Sequence, residues 1–174
     1  MTSISIIMAT ARDNYPIIGQ PKLHMLKPTI DSLKEQSFKD FEFIIVDALH
    51  NKRPNLFYGD PFNNNKLPFR VKHVPIHRYH RFWIDRKRWN VCGQLNTAIM
   101  YCQGELIVRI DDCCEFDSEF IKKFWDGYQC GFFPGAMHIR FVNGKPAKLN
   151  GEYGEIDYRG DFSIHSSIDK DVRD

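Results

Sequence analysis

Two adjacent carboxylates, Asp111 and Asp112, come directly after the apolar run Leu106–Ile110. A short run rich in branched side chains is typical of a buried strand. Acidic groups at the end of such a strand lie at the carboxyl edge of a sheet, where open α/β sheets place their ligand sites. Repulsion between two close carboxylates costs free energy unless a cation relieves it, and hard divalent cations suit that role. The pair therefore predicts a site for a metal and phosphate oxygens; the alternative is a solvated acidic turn that caps the next helix.

A second apolar run, 41–47, also ends in a carboxylate, Asp47. A first strand candidate, 4–9, precedes it, and the segment between them has the apolar spacing of a helix from Leu26 to Leu33. A strand, a helix and a second strand in this order form a right-handed parallel crossover. Asp47 is then a binding residue at the end of its strand, or else a helix cap or turn residue.

The remaining chain alternates between strand and helix patterns before it becomes polar. The predicted elements are a strand at 69–74, a helix from Val91 to Cys102 with Gly104 as its C-cap, a strand at 104–112, a helix at 120–128 capped by Asp117 or Ser118, and a strand at 136–142 followed by an Asn143-Gly144 turn. From Leu149 to Asp174 apolar anchors are few, and we expect weak order there.

The composition fits one globular domain. The chain has 174 residues, of which 43% are hydrophobic and 26% charged, and its net charge of +2 argues against nucleic-acid binding driven by overall charge. The longest apolar runs are strand-sized, no basic stretch precedes the first of them, and the five cysteines show no Cys-x-x-Cys spacing. We therefore expect no membrane span, signal peptide, zinc site or disulfide framework, and we expect a reducing cytoplasm.

A dense basic and aromatic segment occupies residues 77–89. It could be a solvated loop followed by a helix start, or it could bring Arg86, Lys87 or Arg88 to the phosphates of an anionic ligand. Its aromatic rings also suit single-stranded nucleic acid, whose bases stack on rings while cations follow the phosphates. No recognisable nucleic-acid module accompanies the segment, so we expect no specific nucleic-acid partner. A further alternative is peripheral attachment to lipid headgroups at the inner face of the membrane.

The order of these motifs resembles that of family-two glycosyltransferases with the GT-A fold. The matching stretches are Ile6 to Thr10, Leu33 to Asp47, Leu95 to Ile99, Gly104 to Ile107, and Asp111-Asp112, within residues 4–125. The resemblance implies an α/β fold, a single GT-A (Rossmann-like) domain with a mostly parallel sheet flanked by helices. Residues 1–148 would form the nucleotide-sugar-binding domain, and 149–174 a polar C-terminal segment or the start of an acceptor region.

The resemblance also implies an activity. The chain would be a metal-dependent, hexosyltransferase-like enzyme that transfers a sugar, with inversion, from a nucleotide-diphosphate donor to a saccharide or lipid-linked acceptor, as in cell-surface polysaccharide biosynthesis. A UDP-sugar is favoured over a GDP-sugar as donor, and Mn²⁺ or Mg²⁺ as the metal. Two alternatives stay open. One is a nucleotide-sugar-binding remnant without turnover, and the other is a nucleotidyltransferase, although Thr10 to Asp13 lacks the Gly-rich phosphate loop usual in such enzymes.

By the same resemblance, eight residues would form the donor and metal site: Thr10, Ala11, Arg12, Asp47, Arg88, Asn96, Asp111 and Asp112. Thr10 and its neighbours would line the nucleoside pocket, and Asp47 would accept hydrogen bonds from the base. Asp111 would contact the ribose or the metal shell. Asp112 would bind a divalent ion that bridges the diphosphate and neutralises the charge on it as it leaves.

Two features depart from the family pattern. The usual acidic motif is Asp-x-Asp, whereas Asp111 and Asp112 are adjacent, and neighbouring side chains in a regular strand point to opposite faces. Unless the chain bends there, only one of them binds the metal directly; we favour Asp112, with Glu115 as a further candidate. The family also draws its general base and many acceptor contacts from a second half that is expected to be mostly missing here, so the catalytic base is unassigned.

Overall fold

The computed structural model describes residues 2–11, 26–57, 66–80, 90–112 and 114–132, together with the backbone of strands at 136–142, 145–146 and 162–168. Contacts divide the chain into two compact units. The first unit consists of Met1–Asp13 and Phe38–Asp112, and the second of Asn14–Ser37 and Cys113–Asp174. The predicted domain boundary at residue 149 stays a prediction.

The elements follow one another in an alternating α/β order. They are β1 (Ile4–Thr10), α1 (Leu26–Lys34), β2 (Phe41–Asp47), β3 (Arg70–Pro75), α2 (Val91–Ile99), β4 (Leu106–Ile110), β5 (Cys114–Phe116), α3 (Phe120–Gln129), β6 (Ala136–Val142), β7 (Lys145–Pro146) and β8 (Phe162–Ile168). Single 3₁₀ turns lie at His50–Lys52 and Arg78–His80. Of the residues that the structure describes, none belong to a helix long and apolar enough to cross a membrane.

The first unit contains a four-stranded sheet in the spatial order β3-β2-β1-β4, and each neighbouring pair is parallel. Branched and aromatic side chains dominate its strands, and every residue of β2 is buried. Parallel strands covered on both faces have this composition, because neither face meets water. The expected α/β, Rossmann-like architecture with a parallel sheet is confirmed.

Helix α2 packs on β1 and β2. Its apolar side lies on a cluster of buried side chains formed by Ile7, Ile44, Val46, Ile76 and Ala98. Two polar residues of the helix, Gln94 and Thr97, are buried as well. The helix is capped at its start by Asn90, whose Oδ1 accepts a hydrogen bond from Gly93 N at 2.9 Å.

A buried polar network holds the turn between α2 and β4. Ser5 Oγ donates to Glu42 Oε1 at 2.8 Å and accepts from the backbone N–H groups of Gln103 and Gly104. Lys72 Nζ lies 2.8 Å from Glu42 Oε2. Burial raises the pKa of Glu42, but hydrogen bonds from Lys72 and Ser5 outweigh it and leave that pKa below its usual value.

Gly104 is needed for a close approach of two backbone segments. A Cβ at this position would lie 2.4 Å from Ser5 N, and the clash would be with backbone that cannot rotate away. The prediction that Gly104 caps the preceding helix is wrong, because α2 ends at Ile99 and Met100 is its C-cap.

The second unit contains a sheet in the order β5-β8-β6-β7. Helix α1 packs on β5, where Thr29 Oγ1 donates to Cys114 O at 2.7 Å. Helix α3 begins after its N-cap Glu119, rather than at the predicted Asp117 or Ser118. The predicted Asn143-Gly144 turn lies outside the described residues, but the flanking strands β6 and β7 pair antiparallel, as in a hairpin.

Candidate functional site

Polar side chains end three neighbouring strands of the parallel sheet at its carboxyl edge. Thr10 ends β1, Asp47 ends β2, and the two residues are paired in register. On the other side of β1, Met8 is paired with Ile110, so Asp112 lies two residues beyond this pair, level with Thr10. All three side chains are buried, with relative exposures of 0% for Thr10, 1% for Asp47 and 3% for Asp112. Residues paired in register in a parallel sheet share a face, so Thr10 and Asp47 lie on one face, and Asp112 is joined to Thr10 by a hydrogen bond.

Thr10 and Asp112 are bonded to each other across the point where the strand order reverses. Thr10 Oγ1 donates to Asp112 Oδ2 at 2.8 Å. In the order β3-β2-β1-β4, strands β2 and β3 follow one another on one side of β1, whereas β4 pairs with β1 on its other side. In open α/β sheets, ligands bind in the crevice outside the carboxyl ends of the strands at such a reversal. The Thr10–Asp112 pair thus marks the position where this fold class binds its ligands.

Asp111 lies in a different environment from Asp112. Its side chain is 65% exposed, and Arg109 Nη2 donates to its Oδ1 at 3.1 Å. Both residues lie just beyond the end of β4, and the chain buries one carboxylate there and exposes the other. The expectation that only Asp112 binds a metal stays a prediction.

Asp47 is held by four hydrogen bonds. Oδ1 accepts from Leu49 N at 2.8 Å and from Arg53 Nη2 at 3.0 Å. Oδ2 accepts from Arg53 Nε at 2.6 Å and is 2.9 Å from His73 Nε2. Burial raises the pKa of Asp47, but the hydrogen bonds from His73 and Arg53, the Arg53 charge and the Leu49 N–H together lower it below its usual value. Asp47 is therefore ionised, and both of its oxygens carry two partners.

His73 supports Asp47 from β3. An ionised carboxylate can only accept hydrogen bonds, so the hydrogen between the two groups is assigned to His73 Nε2. The His73 side chain is 4% exposed and packs against the rings of His50 and Phe57, at centroid distances of 4.7 Å and 5.4 Å. Within the described part of the chain, Nδ1 of His73 has no hydrogen-bond partner. Burial lowers the pKa of His50.

Gln94 was missed by the sequence analysis, although it organises this edge. Its amide Nε2 donates to Thr10 O at 2.7 Å and to Val46 O at 2.8 Å, so one fully buried side chain joins the ends of β1 and β2. The only signal in the sequence was a polar residue among the apolar positions Val91, Leu95 and Ala98 of the predicted helix.

The other predicted site residues are placed as follows. Ala11 follows β1 directly and is half-buried, whereas Asn96 is exposed on the side of α2 opposite to Gln94 and Thr97. Arg12 and Arg88 lie outside the described residues, as does most of the basic aromatic segment. In the described part of that segment, the Arg78 guanidinium lies 4.8 Å from the ring centroid of the exposed Tyr79.

The described residues do not contain a preformed metal centre. Nowhere in the described ranges do three or more His, Cys, Asp or Glu side chains form a group that could hold a metal ion. Asp112 offers one buried carboxylate, oriented by Thr10. Mg²⁺ is commonly held by one or two carboxylates together with substrate phosphates and water, and Mn²⁺ accepts the same oxygen ligands. Asp112 is therefore a suitable oxygen ligand for a divalent ion that also binds a diphosphate.

Comparisons with known proteins gave likenesses among solved structures only. No family model matches the chain, and no curated protein matches it. Among solved structures, the chain is similar to residues 1–349 of S. aureus TarS, a glycosyltransferase, with 18% identity and a TM-score of 0.48. The likeness covers 84% of this chain and only 38% of that chain. Similarity at this level gives no ground for assigning the neighbour's activity to this chain.

Proposed function

We propose that this chain binds the donor of a metal-dependent glycosyl transfer, a nucleotide-diphosphate sugar, at the carboxyl edge of the parallel sheet. One observation carries the proposal: Thr10 and Asp47 end the neighbouring strands β1 and β2, and Asp112, two residues past β4, is hydrogen-bonded to Thr10 at the reversal of strand order. The motif order of family-two glycosyltransferases supports the same assignment. The acceptor would be a saccharide or a lipid-linked saccharide.

The proposed chemistry assigns a separate task to each residue. Asp112 would hold the divalent ion, with its carboxylate oriented by the hydroxyl of Thr10. A bound divalent ion supplies Lewis-acid stabilisation of the departing diphosphate. Asp47 and the residues next to it would bind the base, and Thr10 and Ala11 would line the nucleoside pocket. Sugar transfer would break the bond between the anomeric carbon and the diphosphate oxygen and form one to the acceptor hydroxyl, with inversion as the family expectation.

Calorimetric titration tests this proposal. UDP, GDP and their sugar conjugates would be titrated into the protein with and without Mn²⁺. Binding is expected to require the metal for full affinity, and Asp112→Asn should remove the metal dependence, because an amide oxygen is a much poorer ligand than a carboxylate. The matched control is Asp111→Asn, which alters the exposed neighbour and should leave the metal dependence in place.

Two results would contradict the proposal. One is a folded wild-type protein that binds none of these nucleotides with Mn²⁺. The other is metal-dependent binding that survives Asp112→Asn, since the ion would then be held elsewhere. Turnover is a separate question, and release of nucleotide from the bound sugar donor, with and without candidate acceptors, distinguishes an active transferase from a donor-binding protein.

A further inference from the structure

Arg53 bonds to both carboxylate oxygens of Asp47 through two N–H groups of its guanidinium, which form a two-donor fork. Nε and Nη2, which are attached to the same carbon, donate to Oδ2 and Oδ1 at 2.6 Å and 3.0 Å. The same two oxygens have a second partner each: Leu49 N–H donates to Oδ1, and His73 Nε2 lies at hydrogen-bonding distance from Oδ2. Two parallel N–H groups facing a carboxylate form the strongest and most geometrically specific hydrogen-bonded pair among side chains.

We propose that Arg53 occupies the place of a guanine base, so that the nucleotide donor of this chain is a guanosine diphosphate sugar. The inference rests on the proposed function and identifies its substrate class. Guanine carries N1–H and the N2 amino group on one ring carbon, and this N–C–N fragment is itself a guanidine. It can therefore present the same pair of parallel donors to Asp47 as Arg53 does.

The exchange would leave the other hydrogen bonds of Asp47 intact. When guanine replaces Arg53, Oδ1 keeps its bond from Leu49 N–H and Oδ2 keeps its bond from His73, and each oxygen gains one donor from guanine in place of the one lost. Arg53 belongs to the irregular segment after β2, and its neighbours Lys52 and Pro54 are exposed. The side chain of Arg53 is itself only 14% exposed, so its release breaks a mostly buried ion pair, and the two donors that guanine supplies would offset that loss.

The other common bases do not match the fork. Uracil offers a single N–H between two carbonyl groups, so one carboxylate oxygen would lose a donor and would face a carbonyl oxygen. Adenine and neutral cytosine place an amino group beside an acceptor nitrogen, which repels the second oxygen. A carboxylate that is ionised at neutral pH can only accept hydrogen bonds, so it cannot donate one to these acceptor groups. Guanine is thus favoured over the uracil that the family resemblance implies.

Three diphosphates test the inference directly. GDP, IDP and UDP would be titrated with Mn²⁺ into the wild-type protein. IDP is the matched control ligand, because its base differs from guanine only by lacking the N2 amino group. One hydrogen bond to a charged group is worth a factor of about ten or more in affinity, so GDP should bind at least about tenfold more tightly than IDP and UDP.

A change of specificity provides the second test. Asp47→Asn replaces one acceptor by a donor. Xanthine carries a carbonyl in place of the N2 amino group, so xanthosine diphosphate should become the preferred ligand of this variant. A third variant, Arg53→Met, keeps Asp47 but removes the competing guanidinium, and it should bind GDP at least as tightly as the wild type does.

The outcomes separate the inference from the proposed function. Metal-dependent binding with equal affinity for the three diphosphates, or with UDP preferred, would overturn the assignment of guanine and leave the donor site in place. Absence of binding by every nucleotide would remove both. A selective loss of GDP in Arg53→Met would also overturn the inference, because Arg53 would then be a contact of the base and not its substitute.

Discussion

Gln94→Leu is expected to lower the free energy of unfolding by about 2–4 kcal/mol. The substitution keeps most of the side-chain volume but removes both hydrogen bonds to the strand ends. A buried carbonyl that loses its donor costs about 1–3 kcal/mol. Thr10 O keeps the N–H of Ala48 at 2.9 Å, so its share lies at the low end of that range.

Urea unfolding followed by circular dichroism measures this effect as a change in the midpoint at constant slope. The control is Asn96→Leu, which makes a similar change on the exposed side of the same helix and should stay within about 0.5 kcal/mol of wild type. Equal stabilities of the two variants would refute the reasoning, because the buried amide would then contribute no more than a solvated one.

The same substitution should also weaken nucleotide binding. Gln94 fixes the ends of β1 and β2 relative to each other, and these ends carry Thr10 and Asp47. If the two strand ends separate, the groups that would bind the nucleoside no longer keep their spacing. Affinity for the preferred diphosphate should fall in Gln94→Leu and remain unchanged in Cys92→Ser, which alters an exposed residue of the same helix, as measured by the calorimetric titration described above.

Three further predictions concern buried charge and packing. Asp47 has a folded-state pKa below its ordinary value of 3.8, so its stabilisation is present above that pH and is lost as the pH falls through the folded pKa. The stability difference between wild type and Asp47→Asn should thus shrink in urea titrations below about pH 4. Lys72→Met leaves the Glu42 carboxylate buried without its cation, which should cost about 1–3 kcal/mol at pH 7 and less at pH 4, where Glu42 can be protonated. Gly104→Ala places a methyl group 2.4 Å from Ser5 N and should lower the free energy of unfolding by about 1–3 kcal/mol in the same assay. A urea midpoint equal to that of the wild type would contradict this close approach of the two backbone segments.

The strands and their polar ends could be predicted from the sequence, because the information is local. The apolar runs before Asp47 and before Asp111-Asp112 predict two strands of a parallel sheet, and the structure confirms both, although β4 is shorter than the predicted strand at 104–112 and ends at Ile110. These features depend on neighbours within a few positions of the chain.

The partners of those polar ends could not be predicted, because they come from distant or irregular parts of the chain. Gln94 bonds to a carbonyl 84 residues away, and a buried amide on a helix has no sequence signature beyond its polarity. Arg53 lies in a segment that the sequence marks only as a loop, so its fork on Asp47 was not foreseen. The predicted role of Asp47 as the acceptor for a base stays a prediction, and Arg53 must leave before it can be fulfilled.

The hydrogen bond between Thr10 and Asp112 closes a loop of 102 residues, which has a consequence for folding. Strand β1 emerges first from the ribosome but lies between β2 and β4 in the sheet. Long-range pairings of this kind are slow, because the entropy of loop closure must be overcome before they contribute any stability. Until β4 has been synthesised, one edge of β1 presents unpaired backbone groups, and Thr10 lacks its partner Asp112. A nascent chain that stops short of Asp112 is thus prone to edge-to-edge association, and the binding site is among the last parts of its unit to form.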